Sequence, residues 1–365
     1  MHVCLVAVEI FAWGKYGGFG RATRTIGREL VKRGITVSAV VPRRANQPPI
    51  ANLDGIQVHG LSLSDLLGGS HVYERIAADV YHSQEPSLGT YLAARAQPLA
   101  RHIVTFRDTH DATDWRIERG LPSINVLQVL ANRLYEDNRL VHRTVRRADR
   151  RYVAAQMLAA KARAKYGLAL DPEFLPTPVA TPDAVEKDAV PTVCFVGRWD
   201  RRKRPELFFE LARAFPRVRF LAAGKSRDPA YEATLRDRYG SLANVEMLGF
   251  VDPFSGTEHS HLLGRSWILI NTAAREGLPN AFIEAAAHGC AILSAVDPDS
   301  FASRFGHHAT DDDFVGGLAT LLENNRWRQL GEAGRDFVRG VFSLKPAIDR
   351  HMEIYTELLA QRRSM

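Results

Sequence analysis

The sequence predicts two α/β domains, each built on a parallel sheet. Short apolar runs rich in Val, Ile and Leu alternate with helical patterns along nearly the whole chain, as βαβ units require. The alternation breaks once, at residues 171–191, where prolines at 172, 176, 178, 182 and 191 give a linker composition. The chain has 365 residues, more than one typical core holds, so two domains of about 150–200 residues are the default.

Residues 3–8 (VCLVAV) predict a buried first strand. A Gly-rich loop follows, then RATRTIGRELVKRG, which sets Ile26 and Leu30 on one side and ends at Gly34. ITVSAVVP is the next strand, closed by Pro42. GIQVHGL, DVYHSQ, YLAARA and HIVTFRD continue the alternation. Residues 125–148 predict one long, charged helical stretch. DRRYVAA predicts a strand, and QMLAAKARAKYG a helix ending at Gly167. After the linker, TVCFVGR, VRFLAAG, NVEMLGFV, SWILINT and CAILSAV predict strands. RPELFFELARAF, PAYEATLRDRYG and AFIEAAAHG predict the helices between them. In the last helix, KPAIDRHMEIYTELLAQRR, Ile348, Met352, Ile354, Tyr355, Leu358 and Leu359 give an apolar face that must pack on something.

The composition, 45% apolar and 24% charged, is that of a soluble globular protein. No apolar run reaches the roughly 18 residues of a spanning helix. The start, MHVCLVAVEIF, reads as a strand rather than a signal peptide. Cys4, Cys194 and Cys290 are isolated in apolar runs and are expected as buried free thiols, which fits a cytoplasmic protein. The net charge of +7 sits in the first half. Residues 1–185 carry 24 Lys and Arg against 17 Asp and Glu, and residues 186–365 carry 24 of each. Such a half attracts phosphates, an anionic acceptor or an acidic membrane face, or is simply a solvated surface.

In open parallel sheets ligands sit beyond the carboxyl ends of strands, and the suggestive residues cluster there. In VGRWDRRKRPE, Arg198 and Lys203 follow a strand and precede a helix with Pro205 in its first turn. Two cations beside free helix amides suit a diphosphate; the alternative is a solvated basic loop. In REGLPNAFIEAAAHGCAILS, Glu276 stands in a loop and Glu284 inside the next helix. Gly277 admits close backbone approach, and Pro279 suits a first helical turn. Carboxylates so placed accept bonds from vicinal hydroxyls of a hexose and a ribose, or serve only as acids near a helix N-terminus.

EGLPNAFIEAAAHGCAILS resembles the E-x7-E region of the retaining glycosyltransferases of family 4. VGRWDRRKRPE resembles that family's strand–Gly-Arg–Lys segment, and VEMLGFVD its strand before the base pocket. YGGFGRATRTIGRELVKRGITVSAVVP resembles its Gly-rich loop and first helix, and DVYHSQEP and RRADRRYVAA match in position and type. The resemblance spans nearly the whole chain. It implies a GT-B fold: two Rossmann-like domains of doubly wound parallel sheets facing an inter-domain cleft. Residues 1–178 would bind acceptor and residues 179–345 the nucleotide sugar, with residues 346–365 a helix packing back on the first domain.

The same resemblance assigns roles. Arg198 and Lys203 would hold the diphosphate and stabilise the leaving group. Glu276, with Gly277, Leu278, Pro279 and Asn280, would hold the transferred sugar and the distal phosphate. Glu284 would bind the ribose, and Gly17 and Gly18 would approach the donor phosphates. It implies hexosyl transfer from a nucleotide-diphosphate sugar to a glycan or lipid-linked acceptor, with retention by a front-face route. Two basic side chains can stabilise the departing charge, so no metal and no cofactor beyond the co-substrate is expected. The expected setting is the cytoplasm, at the inner face of the membrane if the basic first half meets anionic lipid. Nucleic acid is not an expected partner.

Departures from the family pattern are local. Where the family often has a His contacting the sugar, this chain has Arg107, followed by Asp108, with His110 three residues on. Arg107 replaces that His, or His110 reaches in, or neither matters. His82, at a strand end, is a further candidate acceptor contact. DPD at 297–299 resembles a metal-binding D-x-D but lacks its context, and His307, His308 and Asp311–Asp313 read as a solvated loop and helix start. A dehydrogenase is disfavoured because Gly18-x-Gly20 is followed by Thr23 rather than a third glycine. The closer alternatives are a GT-B sugar-nucleotide epimerase and a catalytically silent GT-B partner subunit.

Overall fold

The computed structural model describes residues 1–43, 47–62, 71–120 and 126–363, and only the backbone of residues 14, 15, 118–120, 126–128, 132, 362 and 363. The chain divides into two compact units. Residues 1–119, 124–178 and 344–365 form unit 1; residues 120–123 and 179–343 form unit 2.

Unit 1 is built on an eight-stranded sheet: β1 (His2–Val6), β2 (Thr36–Pro42), β3 (Ile50–Leu53), β4 (Ile56–Leu61), β5 (Val80–Ser83), β6 (Arg101–Phe106), β7 (Arg150–Val153) and β8 (Glu173–Phe174). Their spatial order is β8-β7-β6-β5-β1-β2-β4-β3. Every pairing is parallel except β3 with β4. β1 lies between β2 and β5, with Cys4 opposite Ser38 on one side and Tyr81 on the other. Val3, Cys4, Leu5 and Val6 are all buried, which explains why β1 reads as an unbroken apolar run: helices cover both faces of a parallel sheet. Those helices are α1 (Gly18–Lys32), α2 (His71–Ile76), α3 (Leu88–Ala96), α4 (Ala112–Gly120), α5 (Val126–Glu136), α6 (Arg139–Arg147) and α7 (Leu158–Tyr166).

Two local expectations change. The single helix expected over 125–148 is two, α5 and α6; residue 125 itself lies outside the described residues. Asn138 makes the break, because its side-chain oxygen accepts from Leu140 N at 2.9 Å and Val141 N at 3.1 Å and so caps α6. β3 was not expected. It is a short edge strand with Ile50 about half exposed, and the prolines before it mask its pattern.

Unit 2 is a six-stranded, all-parallel sheet: β9 (Thr192–Val196), β10 (Arg219–Ala223), β11 (Val245–Gly249), β12 (Ile268–Asn271), β13 (Ala291–Ser294) and β14 (Gly306–His308), in the order β11-β10-β9-β12-β13-β14. Its helices are α8 (Pro205–Ala214), α9 (Pro229–Tyr239), α10 (Glu258–Arg265), α11 (Asn280–Ala287), α12 (Phe301–Phe305), α13 (Phe314–Leu322) and α14 (Arg326–Val341). Aromatic residues dominate the core. Phe195, Phe208, Phe209, Phe220 and Trp199 are buried together, and the Phe208 and Phe220 rings meet edge to face at 5.2 Å. Residues 307 and 308, expected in a solvated loop, instead form β14 beside β13. The last helix, α15 (Leu344–Arg363), belongs to unit 1. Its Ile348, Ile354, Tyr355 and Leu358 are buried in the same core as Val3, Leu5 and Leu175.

Candidate active site

The order of each sheet reverses beside its central strand, and loops from the two strands at such a point part to leave room for a ligand. In unit 2 that point lies between β9 and β12, which pair at Val193–Ile268. Residues 197–204 leave β9 there, and residues 272–279 leave β12. The loops are stitched together. Ala274 N donates to Arg202 O at 3.1 Å, and the Thr272 hydroxyl lies 2.6 and 2.9 Å from the carbonyls of Lys203 and Arg204. Arg204 Nε donates to Thr272 O at 2.6 Å, while its two terminal nitrogens grip the Asp312 carboxylate at 2.6 and 2.8 Å. Asp312, expected as solvated, therefore anchors the loop that carries Lys203.

The stitching brings Lys203 Nζ onto the Glu276 carboxylate as an ion pair. The two side chains are 17% and 13% exposed, so the pair is desolvated enough to be strong and still open on one side. Arg198 Nε stands 3.5 Å from Asp200 Oδ2 and is 34% exposed. Asp200 also accepts from Lys203 N at 3.1 Å, which fixes the turn between the two cations. Gly224 completes this end of the sheet: a Cβ there would lie 1.9 Å from Gly197 O, so only glycine lets β9 and β10 close up.

Gly277 and Leu278 form the turn before α11. Pro279 is its N-cap, one residue earlier than a first helical position, and Asn280 opens it. Glu284 sits one turn into α11, with its carboxylate 3.6 Å from His259 Nε2 of α10. Sequence adjacency thus separates into two carboxylates with different neighbours, one on a lysine and one beside a histidine. The DPD segment is occupied structurally. Asp297 accepts from Ala302 N at 2.7 Å and Ser303 N at 3.1 Å. Among the described residues no group of three or more His, Cys, Asp or Glu is placed to hold a metal ion.

In unit 1 the reversal lies between β1 and β5. Gly17 is the extended N-cap of α1, and a Cβ there would fall 2.1 Å from Glu9 Oε1. That oxygen accepts from Gly20 N at 3.0 Å. An anion approaching Gly17 and Gly18 therefore meets the chain's own Glu9 carboxylate, a residue that sequence reasoning missed and that no spacing pattern marks. Arg107 is buried. Its guanidinium donates to Thr177 Oγ1 at 2.9 Å and Gln84 Oε1 at 2.5 Å, and burial pulls its pKa down to about 10. Beside it, Glu85 Oε2 accepts from Arg107 N at 2.7 Å and Asp108 N at 3.0 Å. Burial pushes the Glu85 carboxyl up to about 7 against the opposing pull of those amides. Glu85 was also missed. Its position, an acid directly after a buried strand at the reversal point, was the available signal. Among the described residues, Gln84 Nε2 and Arg107 Nε are buried without an acceptor.

His82 corrects the sequence analysis. It is fully buried, with one ring nitrogen 2.7 Å from Tyr355 Oη and the other 2.7 Å from Thr105 Oγ1. The α15 helix covers it, so both ring nitrogens are engaged in the core of unit 1 rather than exposed at the strand end. His110 is half-buried, stacked on Trp115 at 4.5 Å, with Nδ1 3.0 Å from Asp108 O.

Comparison with known proteins follows the same division. Residues 181–337, within unit 2, match the model of the glycosyl transferases group 1 family. This match replaces the family 4 assignment. The E-x7-E segment behind that assignment lies inside the matched residues, and a motif so short reports a loop entering a helix rather than a family number. No curated protein matches the sequence. Solved structures match over nearly the whole chain. Sucrose-phosphate synthase from Thermosynechococcus elongatus superposes with a TM-score of 0.74 at 16% identity, covering 99% of both chains. HepE from Anabaena, in complex with UDP and glucose, gives 0.70 at 12% identity, covering 98% of this chain and 100% of that one. The pneumococcal O-GlcNAc transferase GtfA, in complex with UDP and GlcNAc, gives 0.68 at 9% identity, covering 98% and 99%. At these identities the likeness establishes the fold, which is GT-B. The chain therefore has the GT-B fold, and residues 181–337 of its second unit match the glycosyl transferases group 1 model.

Proposed function

We propose that the chain moves a hexosyl unit from a nucleotide-diphosphate sugar to a glycan or lipid-linked acceptor, with retention of anomeric configuration and without a metal. Unit 2 would bind the donor and unit 1 the acceptor. One observation carries the reading: Lys203 and Glu276, from the loops after two neighbouring central strands, meet at the point where the order of the unit 2 sheet reverses. HepE and GtfA, whose structures hold UDP with glucose or GlcNAc, support the donor class.

In this reading the bond from the anomeric carbon to the phosphate oxygen breaks, and the diphosphate departs with the electron pair. Arg198 and Lys203 neutralise that charge where it develops. Glu276 and the turn at residues 277–280 hold the sugar, and Glu284 holds the ribose. The acceptor oxygen attacks from the face the diphosphate leaves, and its proton passes to the departing phosphate oxygen, so no enzymic nucleophile is needed. The enzyme would work in the cytoplasm, with an acidic membrane surface as partner of its basic unit 1.

A thermal-shift screen with UDP-, GDP- and ADP-sugars, followed by NMR of the product's anomeric proton and an assay in chelator, tests the reading. One donor class should raise the melting temperature and give a product of retained configuration in chelator. An inverted product, or loss of turnover in chelator, overturns the mechanism. Release of an epimerised nucleotide sugar points to the epimerase. No response to any donor points to a silent partner subunit.

A further inference from the structure

We propose that the bend at Asn138 in unit 1, with the side chains around it, is a docking surface for an anionic lipid bilayer. Such a surface would carry the enzyme to a membrane-held acceptor, and in that respect it rests on the function proposed above. Asn138 ties the ends of α5 and α6 together. Its Nδ2 donates to Leu134 O at 2.9 Å, while its Oδ1 accepts from Leu140 N at 2.9 Å. Leu134 and Leu140, bracketing this residue, are 62% and 46% exposed. Leu130, one turn before Leu134 on the same stripe of α5, is 52% exposed. Three exposed leucines on adjoining helix ends give this face its aliphatic surface.

The charge beside them is mostly basic. Arg139, Arg143 and Arg146 recur at helical spacing along α6 and line one cavity of about 560 Å³ with Asp137, Asn138 and His142. Asp137, the acid in that cavity, is already engaged: its carboxylate meets His142 Nε2 at 2.6 Å and Lys165 Nζ at 3.5 Å. Arg139, Arg143, Arg146 and Arg147 are exposed, and none has an ion-pair partner among the described residues. Arginines around an open cavity suit lipid phosphates, and leucines beside them suit the acyl boundary below the headgroups. A nucleic acid would use stacking aromatics, and the large exposed apolar side chains of residues 129–147 are all leucines.

The test is flotation of the full chain with vesicles of phosphatidylcholine alone or mixed with phosphatidylglycerol, at low and high salt. The protein should float with the anionic vesicles only, and less so at high salt. Replacing Arg139, Arg143, Arg146 and Arg147 by Gln should weaken binding about 5-fold per arginine. Leu134→Ser with Leu140→Ser should abolish the fraction that survives high salt. Equal binding to both vesicles, binding indifferent to salt, or variants that float like the parent would overturn the proposal. So would polyglutamate competing as well as vesicles do, which would identify an acidic protein as the partner. The nucleotide-sugar thermal shift, measured on the same variants, separates the two ideas. If it is retained without vesicle binding, the surface fails and the donor reading stands; if vesicle binding persists without it, the reverse holds.

Discussion

The two units repeat one architecture and use its ligand-prone edge in opposite ways. In unit 2 the charged groups beyond β9 and β12 stay partly open: Lys203, Glu276 and Arg198 are 13–34% exposed, with Lys203 on Glu276 and Arg198 beside Asp200. In unit 1 the groups beyond β5 and β6 are closed in. Arg107 and Glu85 are each 6% exposed and spend their bonds on Gln84, Thr177 and backbone amides. An open pair can exchange its partner for a ligand, whereas a closed network must break to do so. The difference is the one expected if the proposed donor site lies in unit 2.

The sharpest way to break that contrast is at the open pair. Arg198→Ala and Lys203→Ala should each cut glycosyl transfer by about 100- to 1,000-fold, and the partly exposed Arg198 should be lost with little change in melting temperature. Transfer at the parental rate would remove the proposed role.

Arg107→Leu should behave oppositely. It leaves Gln84 Oε1 and Thr177 Oγ1 in the interior without their donor, while the backbone amides keep their bonds to Glu85, so unfolding in denaturant should show a loss of about 1–3 kcal/mol. A stable Arg107→Leu variant would mean the network is not closed after all.

A third measurement uses pH. Burial raises the Glu85 carboxyl to about 7 from an ordinary 4.5. The folded state therefore holds a proton that the unfolded chain has lost, and the stabilisation is complete below pH 4.5 and lost as pH rises through 7. Its size is on the order of 2–3 kcal/mol. Glu85→Gln should flatten the decline in stability between pH 5 and 8, read as the difference between two denaturation series. Buried His351, lowered to about 4, works the other way, gaining stability as pH rises from 4 to 6.5. Only the difference between parent and variant isolates Glu85. The smallest effect is at the α6 cap, where Asn138→Ala should cost about 1 kcal/mol.

Much of this was legible in the chain. β1, β2 and β9 read as strands because burial on both faces makes their residues uniformly apolar. Arg198, Lys203 and Glu276 were legible because a ligand edge is defined by strand ends, and strand ends are marked by local pattern. Asn138 was overlooked because helical periodicity runs on through it, and a cap depends on one side chain rather than on a repeat. Glu9 was not marked, Glu85 was marked only by its place after a strand, and Asp312 was read as solvated, since each matters through a partner that only folding supplies.

By itself the sequence determined the alternation of strands and helices and which loops carry cations and acids, because these follow from short-range periodicity and turn chemistry; the proline-rich stretch read as a linker instead contributes β8 to the unit 1 sheet. Only the tertiary structure decided which of those charges are available. His82 meets Tyr355 across 273 positions, Arg204 meets Asp312 across 108 and Arg107 meets Thr177 across 70. Burial and pairing over such separations are set by how the sheet and its covering helices close, and no local pattern encodes them.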